Sequence, residues 1–459
     1  MTKTLFKMAR DGFAVPATML AFDDTDSPEG MCTTYLAALM LEELKDYDLL
    51  GLPRLVRLNP NIPWKTRGNA AVCLPLGAGS GRGEICGNVG GHDVRWFRNG
   101  EPADPGPMVK KAAKVLEKAS RFECDKTNPG LAASNERPAP GFYWRAVREV
   151  VRIRDAEECL RSAGATWRKY KSGRGIIGAT ASMSWRPRDR TWEVIAYREP
   201  SKFGTPRRLD PQSVIEMDAA TGHTFNNYDY ENNHVAITPG SPCPILFGIR
   251  GDSARELLKA RTMIRGEGQD MWLLFMTNQA TEDHVVNRRI GSLRPRDSAR
   301  VEVSVSSTPR TIPGGHVIVP VSDGHLMDAA FYEPSRHFRD VARALLPGDR
   351  LTVIGSVRDE PRSLNVEKVC VNSLVKDVRK VRNPECRSCG KSMHSAGKGQ
   401  GFVCKKCGRK AAARSAKYRT YSRSISLGWY EPPVASRRHL HKPIRRMSRV
   451  ELDSYKYGP

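Results

Sequence analysis

The chain has no run of about eighteen consecutive apolar residues, so no transmembrane helix and no membrane partner are expected. It is short of acid, with 50 Asp and Glu against 74 Lys and Arg over 459 residues, a formal charge of +24. It also lacks a disulfide framework: its eleven cysteines are an odd number, and seven lie outside any motif spacing. That usage fits a reducing, cytoplasmic setting with one metal site rather than a secreted scaffold. Near the start, Lys3, Lys7 and Arg10 precede an apolar run over 13–22, faintly like a secretory signal. No small-residue cleavage site follows, and the run leads straight into Asp23 and Asp24, so a strand behind a short extension is expected.

The basic excess is unevenly placed. Twenty-one Lys and Arg against three Asp and Glu fall between Lys376 and Val450. A C-terminal positive block of this kind suits a polyanion, most simply nucleic acid. A solvated basic tail is the plainer alternative. The length suits about three or four domains.

What organises the chain is the stretch Asp23-Asp24-Thr25-Asp26-Ser27, followed by Gly30-Met31-Cys32-Thr33-Thr34. A short apolar strand is expected over 17–22 and a helix over 34–47. At the end of a strand in an α/β sheet, next to a helix N-terminus, clustered carboxylates suit Mg²⁺ and the helix start suits phosphate. An Asx turn with an N-cap is the simpler reading of the same letters. Downstream, Lys65, Arg67, Gly68 and Asn69 close a Pro-punctuated loop whose cations can hold triphosphate or RNA phosphates. Lys126-Thr127-Asn128 forms a further polar turn able to face the same site. A glycine-rich, flexible excursion is expected over 77–100 and a basic helix over 107–120.

A second unit over 149–266 has strand signals at 150–154, 192–198, 213–217 and 245–249 and helix signals at 155–163 and after Asp252. That order suits a ferredoxin-like α+β sandwich. The turn Lys171-Ser172-Gly173-Arg174-Gly175 either cradles phosphate or lets helices pack closely. Asp218, Asn226, Asn227 and Asp229 form a polar patch able to take a small cation, or a plain turn. A third unit over 267–375 has strand signals at 271–277, 299–306, 316–321, 325–331, 351–357 and 364–371, with a helix over 335–346. Five short strands with one inserted helix are the OB pattern. Then Cys386-x-x-Cys389 and Cys404-x-x-Cys407 read as a closed, structural Zn²⁺ ribbon over 376–410. Gly390-Lys391-Ser392 ends like a phosphate loop, but Glu385 stands where its first glycine is required. The tail, 411–459, interleaves Tyr418, Tyr421, Trp429 and Tyr430 with cations and is expected to order on RNA.

The Asp23–Thr34 motif, the segment Arg57 to Asn69, Lys126-Thr127-Asn128-Pro129-Gly130, Phe247-Gly248-Ile249-Arg250-Gly251, Thr277-Asn278-Gln279-Ala280-Thr281 and the four-cysteine ribbon together resemble the archaeal isoleucine-tRNA 2-agmatinylcytidine synthetase (TiaS) family, over about 17–408 and in order. The resemblance implies a multidomain α+β protein: a kinase-like α/β domain over 1–148, a ferredoxin-like domain, an OB barrel and a zinc ribbon with a basic tail. It implies an enzyme that uses ATP to phosphorylate C2 of the wobble cytidine of isoleucine tRNA with a CAU anticodon. Agmatine then displaces the phosphate, ATP ends as AMP and phosphate, and the tRNA decodes AUA. Carried onto this sequence, Asp23, Asp24 and Asp26 hold Mg²⁺, and Thr33 or Thr34 is a phosphoryl acceptor. Lys65, Arg67, Gly68, Asn69, Lys126, Thr127 and Asn128 hold ATP, and the polar patch holds agmatine. Lys405, Lys406, Arg409 and Lys410 on the ribbon would contact tRNA. A non-catalytic tRNA-binding protein is the rival, but it has no use for the aspartates. An adenylating ligase is a second rival, and its Lys-x-Asp-Gly nucleophile is absent, as is the Ser-Gly-Gly-x-Asp-Ser loop of the bacterial lysidine enzyme.

Overall fold

A computed structural model describes residues 16–454. The signal-like cations Lys3, Lys7 and Arg10 and the last five residues of the tail lie outside the described residues.

The apolar run before the aspartates forms the strand Thr18–Asp23, buried at every position. It lies between Ala70–Ser80 and Gly130–Ser134, antiparallel to both, within a 13-stranded sheet. The expectation of an α/β first unit is therefore corrected: its centre is antiparallel. The excursion over 77–100, expected to be flexible, is the end of Ala70–Ser80 followed by strands Glu84–Val89, His92–Trp96 and Asn99–Pro102. Its glycines serve contact rather than mobility. A Cβ on Gly77 would lie 2.2 Å from the Glu101 carbonyl oxygen across the strand pair.

Helix Thr33–Glu43 follows the acidic turn, and Pro105–Ala119 packs beside it. The other face of the sheet is covered by helix Gly175–Ser184, which crosses Thr18–Asp23, Ala70–Ser80 and Gly130–Ser134. The approach is close: a Cβ on Gly178 would lie 1.8 Å from Asp23 Oδ2, and one on Gly175 would lie 2.3 Å from Gly130 N. The packing alternative for this glycine-rich segment thus accounts for both glycines. It also ties residues after 148 to the first unit's layer.

Further along, two expected strands are helices. The strand signal at 150–154 gives way to helix Ile153–Ser162, and 213–217 lies in helix Pro211–Ala220. In the second case Asp210 caps the helix by accepting from Gln212 N–H, and Pro211 opens it; this local signal outweighs the β-branched residues that follow. Strands Thr191–Tyr197 and Ile245–Gly251 form as expected and are paired. Met271–Thr277, expected in the barrel, instead pairs with Thr191–Tyr197 on its other side and extends the large sheet. The strands Ser298–Val305, Arg350–Arg358, Ser363–Ser373, Leu326–Phe331 and Val317–Ser322 close into a five-stranded barrel through pairing of Val317–Ser322 back to Ser298–Val305. Helix Phe338–Arg343 packs on it.

The ribbon projects on a stalk of paired strands, Asp377–Arg382 and Lys417–Tyr421. Beyond it the chain returns. Gly428–Tyr430 joins the barrel beside Ser363–Ser373, and the residues after it run back over the large sheet. There Arg446 meets Asp252 at 2.8 Å and Asp189 at 3.1 Å, and Ala280 N–H donates to the His439 carbonyl at 2.8 Å. The described part of the tail is therefore folded onto the protein, which corrects the expectation that it orders only with RNA. Several of its cations, Arg423, Arg437, Arg438, Lys442 and Arg446, pair with the protein's own acids, and Glu431 alone takes Arg437, His441 and the Ile444 N–H. Tyr418 and Tyr421, on the stalk, stay exposed.

Gly178→Ala is expected to cost about 1–3 kcal/mol, because the added methyl overlaps the Asp23 carboxylate and neither backbone can withdraw. Urea denaturation checks this; an unchanged midpoint would show the close approach to be unnecessary.

Candidate active site

Asp23 ends its strand, and Asp24 then turns in the left-handed region at φ 57°, its carbonyl accepting from Asn128 N–H at 3.1 Å. This turn puts Asp23 and Asp24 at the floor of a cleft walled by Trp64, Lys65, Thr66, Arg67 and Asn69 on one side and Arg174, Ile177 and Gly178 on the other. Arg174 lies over the Trp64 ring at 3.9 Å. Burial pushes the Asp23 carboxyl up to about 7. Burial, then the charges of Asp23 and Asp26, push Asp24 up to about 8 against the pull of Arg174 and Lys171. Two carboxylates held this way favour a cation between them.

Asp26 behaves differently. Its Oδ1 accepts from Thr33 N–H at 2.6 Å and from the Thr33 hydroxyl at 2.8 Å, and its Oδ2 pairs with Arg67 Nη2 at 3.1 Å. It thus satisfies the start of helix Thr33–Glu43, whose N-cap residue Cys32 makes no side-chain cap. The three aspartates consequently do not converge. Among the described residues, the only group of three or more metal-ligating side chains with all ligand atoms within 4.8 Å is Cys386, Cys389, Cys404 and Cys407. The expected three-carboxylate metal site is therefore not assembled as one compact cluster, although all three aspartates line the cleft. One or two carboxylates completed by substrate phosphates is the usual way to hold Mg²⁺.

The four thiolates fit a tetrahedral Zn²⁺. Each knuckle turns on a left-handed glycine, Gly390 at φ 64° and Gly408 at φ 72°, whose N–H returns to the carbonyl of Cys386 and Cys404 respectively. Gly390 is therefore a knuckle residue, and the phosphate-loop reading has no place here. Lys405, Lys406, Arg409 and Lys410 are all exposed on the second knuckle.

Of the other expected residues, Lys65, Arg67 and Asn69 line the cleft. Thr127 and Asn128 brace the acidic turn from behind: the Thr127 hydroxyl donates to the Asp26 carbonyl at 2.8 Å. Lys126 offers its carbonyl to Thr66, and its side chain does not line the cleft.

A second, larger cavity of about 490 Å³ adjoins the first, sharing Asp26, Thr33, Arg67, Asn69 and Ala70 with it. Gly68, Thr34 and Cys32 line its near side, and Ile195, Phe225, Ile237 and Cys243 its far side. Of the polar patch, only Asn226 reaches it, accepting from Arg437. Asn227 is buried and donates to Asp218 at 2.8 Å, while Asp229 is spent on Ala435 N–H and Asn232. The cavity also exposes Glu193 and His439, to which the sequence reading gives no role, together with Arg57 and Arg250. Arg250 and Gln279 stand in motifs noted in the sequence, but their meeting with Glu193 joins positions far apart in the chain.

Asp24→Asn is expected to stabilise the metal-free protein, increasingly so as pH rises from about 5 to 9. Asp24 keeps its proton in the folded chain to about 8 but releases it near 3.8 when unfolded. Between those values the folded state binds the extra proton, so wild-type stability falls as pH rises, by at most about 1.4 kcal/mol per pH unit. Asn has no such slope. Thermal melting across pH checks this, and a pH-independent difference would contradict it.

The family's domain models match the chain in three places: the TiaS TCKD domain over residues 19–172, the TiaS FLD domain over 173–284, and the TiaS C-terminal zinc ribbon domain over 383–425. An isoleucine-tRNA 2-agmatinylcytidine synthetase TiaS of Methanocaldococcus jannaschii is 38% identical over 93% of this chain and 98% of its own length. That of Methanosarcina acetivorans is 40% identical over 93% and 97%. Among solved structures, a complex of TiaS with its isoleucine tRNA and ATP superposes with a TM-score of 0.81 at 35% identity, covering 95% of this chain and 99% of that one. A complex of TiaS with the same tRNA, AMPCPP and agmatine gives 0.79 at 32% identity over 95% and 99%. With near-complete coverage from both sides, this chain belongs to the TiaS family of isoleucine-tRNA 2-agmatinylcytidine synthetases.

Proposed function

We propose that this protein is an ATP-dependent C–N ligase that phosphorylates C2 of the wobble cytidine of isoleucine tRNA with a CAU anticodon and replaces the phosphate with agmatine. Relatives named for this synthesis, and a relative solved with isoleucine tRNA, AMPCPP and agmatine, support the reading. Within the chain, one observation carries it: Thr33 and its carboxylate partner Asp26 stand where the cleft floored by Asp23 and Asp24 meets a second, larger cavity. A non-catalytic RNA-binding protein would have no use for two desolvated carboxyls, Asp23 and Asp24, in the cleft beside that junction.

The chemistry divides between the cavities. A cytidine C2 oxygen is a poor leaving group until it carries phosphate, and phosphoryl transfer depends on positioning and charge stabilisation more than on a nucleophile. ATP is placed in the first cleft with Lys65 and Arg67 beside its phosphates. Mg²⁺, when bound to Asp23 and Asp24, neutralises charge on the phosphates. Asp26 orients Thr33: the Thr33 hydroxyl donates to Asp26 Oδ1, so a carboxylate is in place to take its proton as the oxygen accepts phosphate. Thr34 lies beside the Cys32 thiol at 3.5 Å instead, which favours Thr33 as the acceptor of the pair. The larger cavity is assigned to the cytidine and the attacking amine, with Ile195, Phe225 and Ile237 against the apolar chain of agmatine. Asp218, Asn227 and Asp229 support that wall from outside. The barrel and ribbon hold the tRNA, with Lys405, Lys406, Arg409 and Lys410 toward phosphates.

Incubation with ATP, Mg²⁺, radiolabelled agmatine and isoleucine tRNA bearing CAU is expected to label that tRNA and not methionine tRNA, which shares the anticodon. Labelling of neither, with tRNA still bound, would overturn the reading. Asp24→Ala is expected to lower ATP consumption at least about 100-fold, and full retention would remove its assigned role. Stripping zinc with a chelator is expected to weaken tRNA binding at least about tenfold with ATP binding intact; filter binding with and without restored Zn²⁺ checks it.

A further inference from the structure

Glu193 is buried on strand Thr191–Tyr197, with Oε1 3.0 Å from Arg250 Nε and Oε2 3.9 Å from Arg57 Nη2. Its Oε2 also accepts from Gln279 Nε2. A carboxylate held by two arginines accepts only, so the amide nitrogen of Gln279 must face it and the amide oxygen must face the other way. That oxygen, Gln279 Oε1, lies 3.1 Å from His439 Nδ1. An oxygen with no proton fixes the tautomer: His439 carries its proton on Nδ1, and Nε2 keeps its lone pair.

The Nε2 side of the ring lies against Gly68 at the wall of the larger cavity. A Cβ on Gly68 would lie 3.1 Å from His439 Nε2 and 2.4 Å from Arg57 Nη1, so only glycine leaves the ring its place. The ring sits deep in the cleft but is exposed to cavity space. Its backbone is pinned on both sides, Ala280 N–H donating to the His439 carbonyl and Glu282 N–H to that of Leu440. Arg57, then burial, then Arg250 and Lys65 hold the imidazole well below its usual pKa. It is thus a neutral acceptor in a cavity whose lining carries five arginines, Arg57, Arg67, Arg250, Arg437 and Arg438, against two carboxylates, Asp26 and Glu193. Three other acceptors of that lining are already engaged, Asp26 by Thr33 and Arg67, Glu193 by Arg250, and Asn226 by Arg437.

Resting on the function proposed above, we propose that His439 Nε2 is the general base of the second step, taking the proton from the agmatine amine as it attacks C2 of the phosphorylated cytidine. The amine nitrogen forms a bond to C2, the bond from C2 to the phosphoryl oxygen breaks, and phosphate departs with its electron pair. The proton released from nitrogen passes to Nε2 and then to solvent. Arg57 and Arg250 help twice: they disfavour an ammonium at this wall, keeping the amine nucleophilic, and they hold Glu193, which through Gln279 holds the ring. Before the step an uncharged acceptor adds no charge beside the arginines, and the imidazolium formed by the transfer is disfavoured there, which drives its proton on to solvent.

His439→Asn keeps an N–H able to donate to Gln279 Oε1 while removing the base, and His439→Ala removes both. The two half-reactions are read separately: phosphorylation of the tRNA from γ-labelled ATP without agmatine, and release of that phosphate on adding agmatine. In both variants agmatine-dependent release is expected to fall at least about 100-fold relative to phosphorylation, with the KM for agmatine within about threefold of wild type. Added imidazole is expected to restore part of the release in His439→Ala. His92→Asn, exposed on strand His92–Trp96 and outside both cavities, serves as the control and is expected to keep both half-reactions. Release within threefold of wild type in His439→Asn would overturn the proposal, since the ring would then serve only as a donor to Gln279. Equal loss of both half-reactions would also overturn it in favour of a structural role. A wild-type protein that phosphorylates the tRNA but never exchanges phosphate for agmatine would instead overturn the functional reading beneath it.

Discussion

The site depends on keeping two carboxyls buried side by side without a direct cationic partner. Asp23 and Asp24 are desolvated and repel each other, and the long-range pull of Arg174 and Lys171 does not offset this. Such an arrangement lowers stability, so the structure around it must be over-determined. Thr18–Asp23 is hydrogen-bonded on both edges, Asn128 holds the turn, and glycines at 175 and 178 let a helix close against the acidic strand without a gap. On the function proposed above, that cost is what a bound cation would relieve, so that repulsion would turn into affinity.

The loop Thr277-Asn278-Gln279-Ala280-Thr281 joins everything else to that strand. Asn278 takes both backbone polar groups of Arg57, accepting from its N–H at 2.7 Å and donating to its carbonyl at 2.8 Å, and donates as well to the Tyr143 hydroxyl. Gln279 links Glu193 to the tail, and Ala280 pairs with the tail's backbone. All three of these residues are fully or almost fully buried. A five-residue loop thereby sets the distance between the nucleotide cleft, the strands around Glu193 and the chain's return from the barrel. Buried amides suit this task, since each offers a donor and an acceptor whose orientations are fixed by their partners.

Much of this is legible in the sequence because the signals are local. The cysteine knuckles, the aspartate turn, the barrel strands and the loop cations each announce themselves within a few residues. The failures follow from non-local causes. Met271–Thr277 has the letters of a barrel strand, and only its pairing with Thr191–Tyr197 decides otherwise. The hairpins after Ala70 look loose because their glycines are explained by strands that come later. Asp26 groups with its neighbours by position, yet it is drawn away by Thr33 and Arg67. His439 looks like one more member of a basic run, because the residues that give it a tautomer lie 160 and more positions upstream.

The return of the chain from the ribbon has a consequence in time. Synthesis runs from the N-terminus, so the acidic turn, the nucleotide cleft and even the barrel emerge from the ribosome before the segment that carries His439 and Arg438. The residues around Asp23 and Asp24 are therefore made while one wall of the larger cavity is still missing. The zinc knuckles must emerge before that wall can be delivered. Completion of the second cavity is thus a late event in the protein's own biogenesis, later than the synthesis of every residue that lines the first cleft.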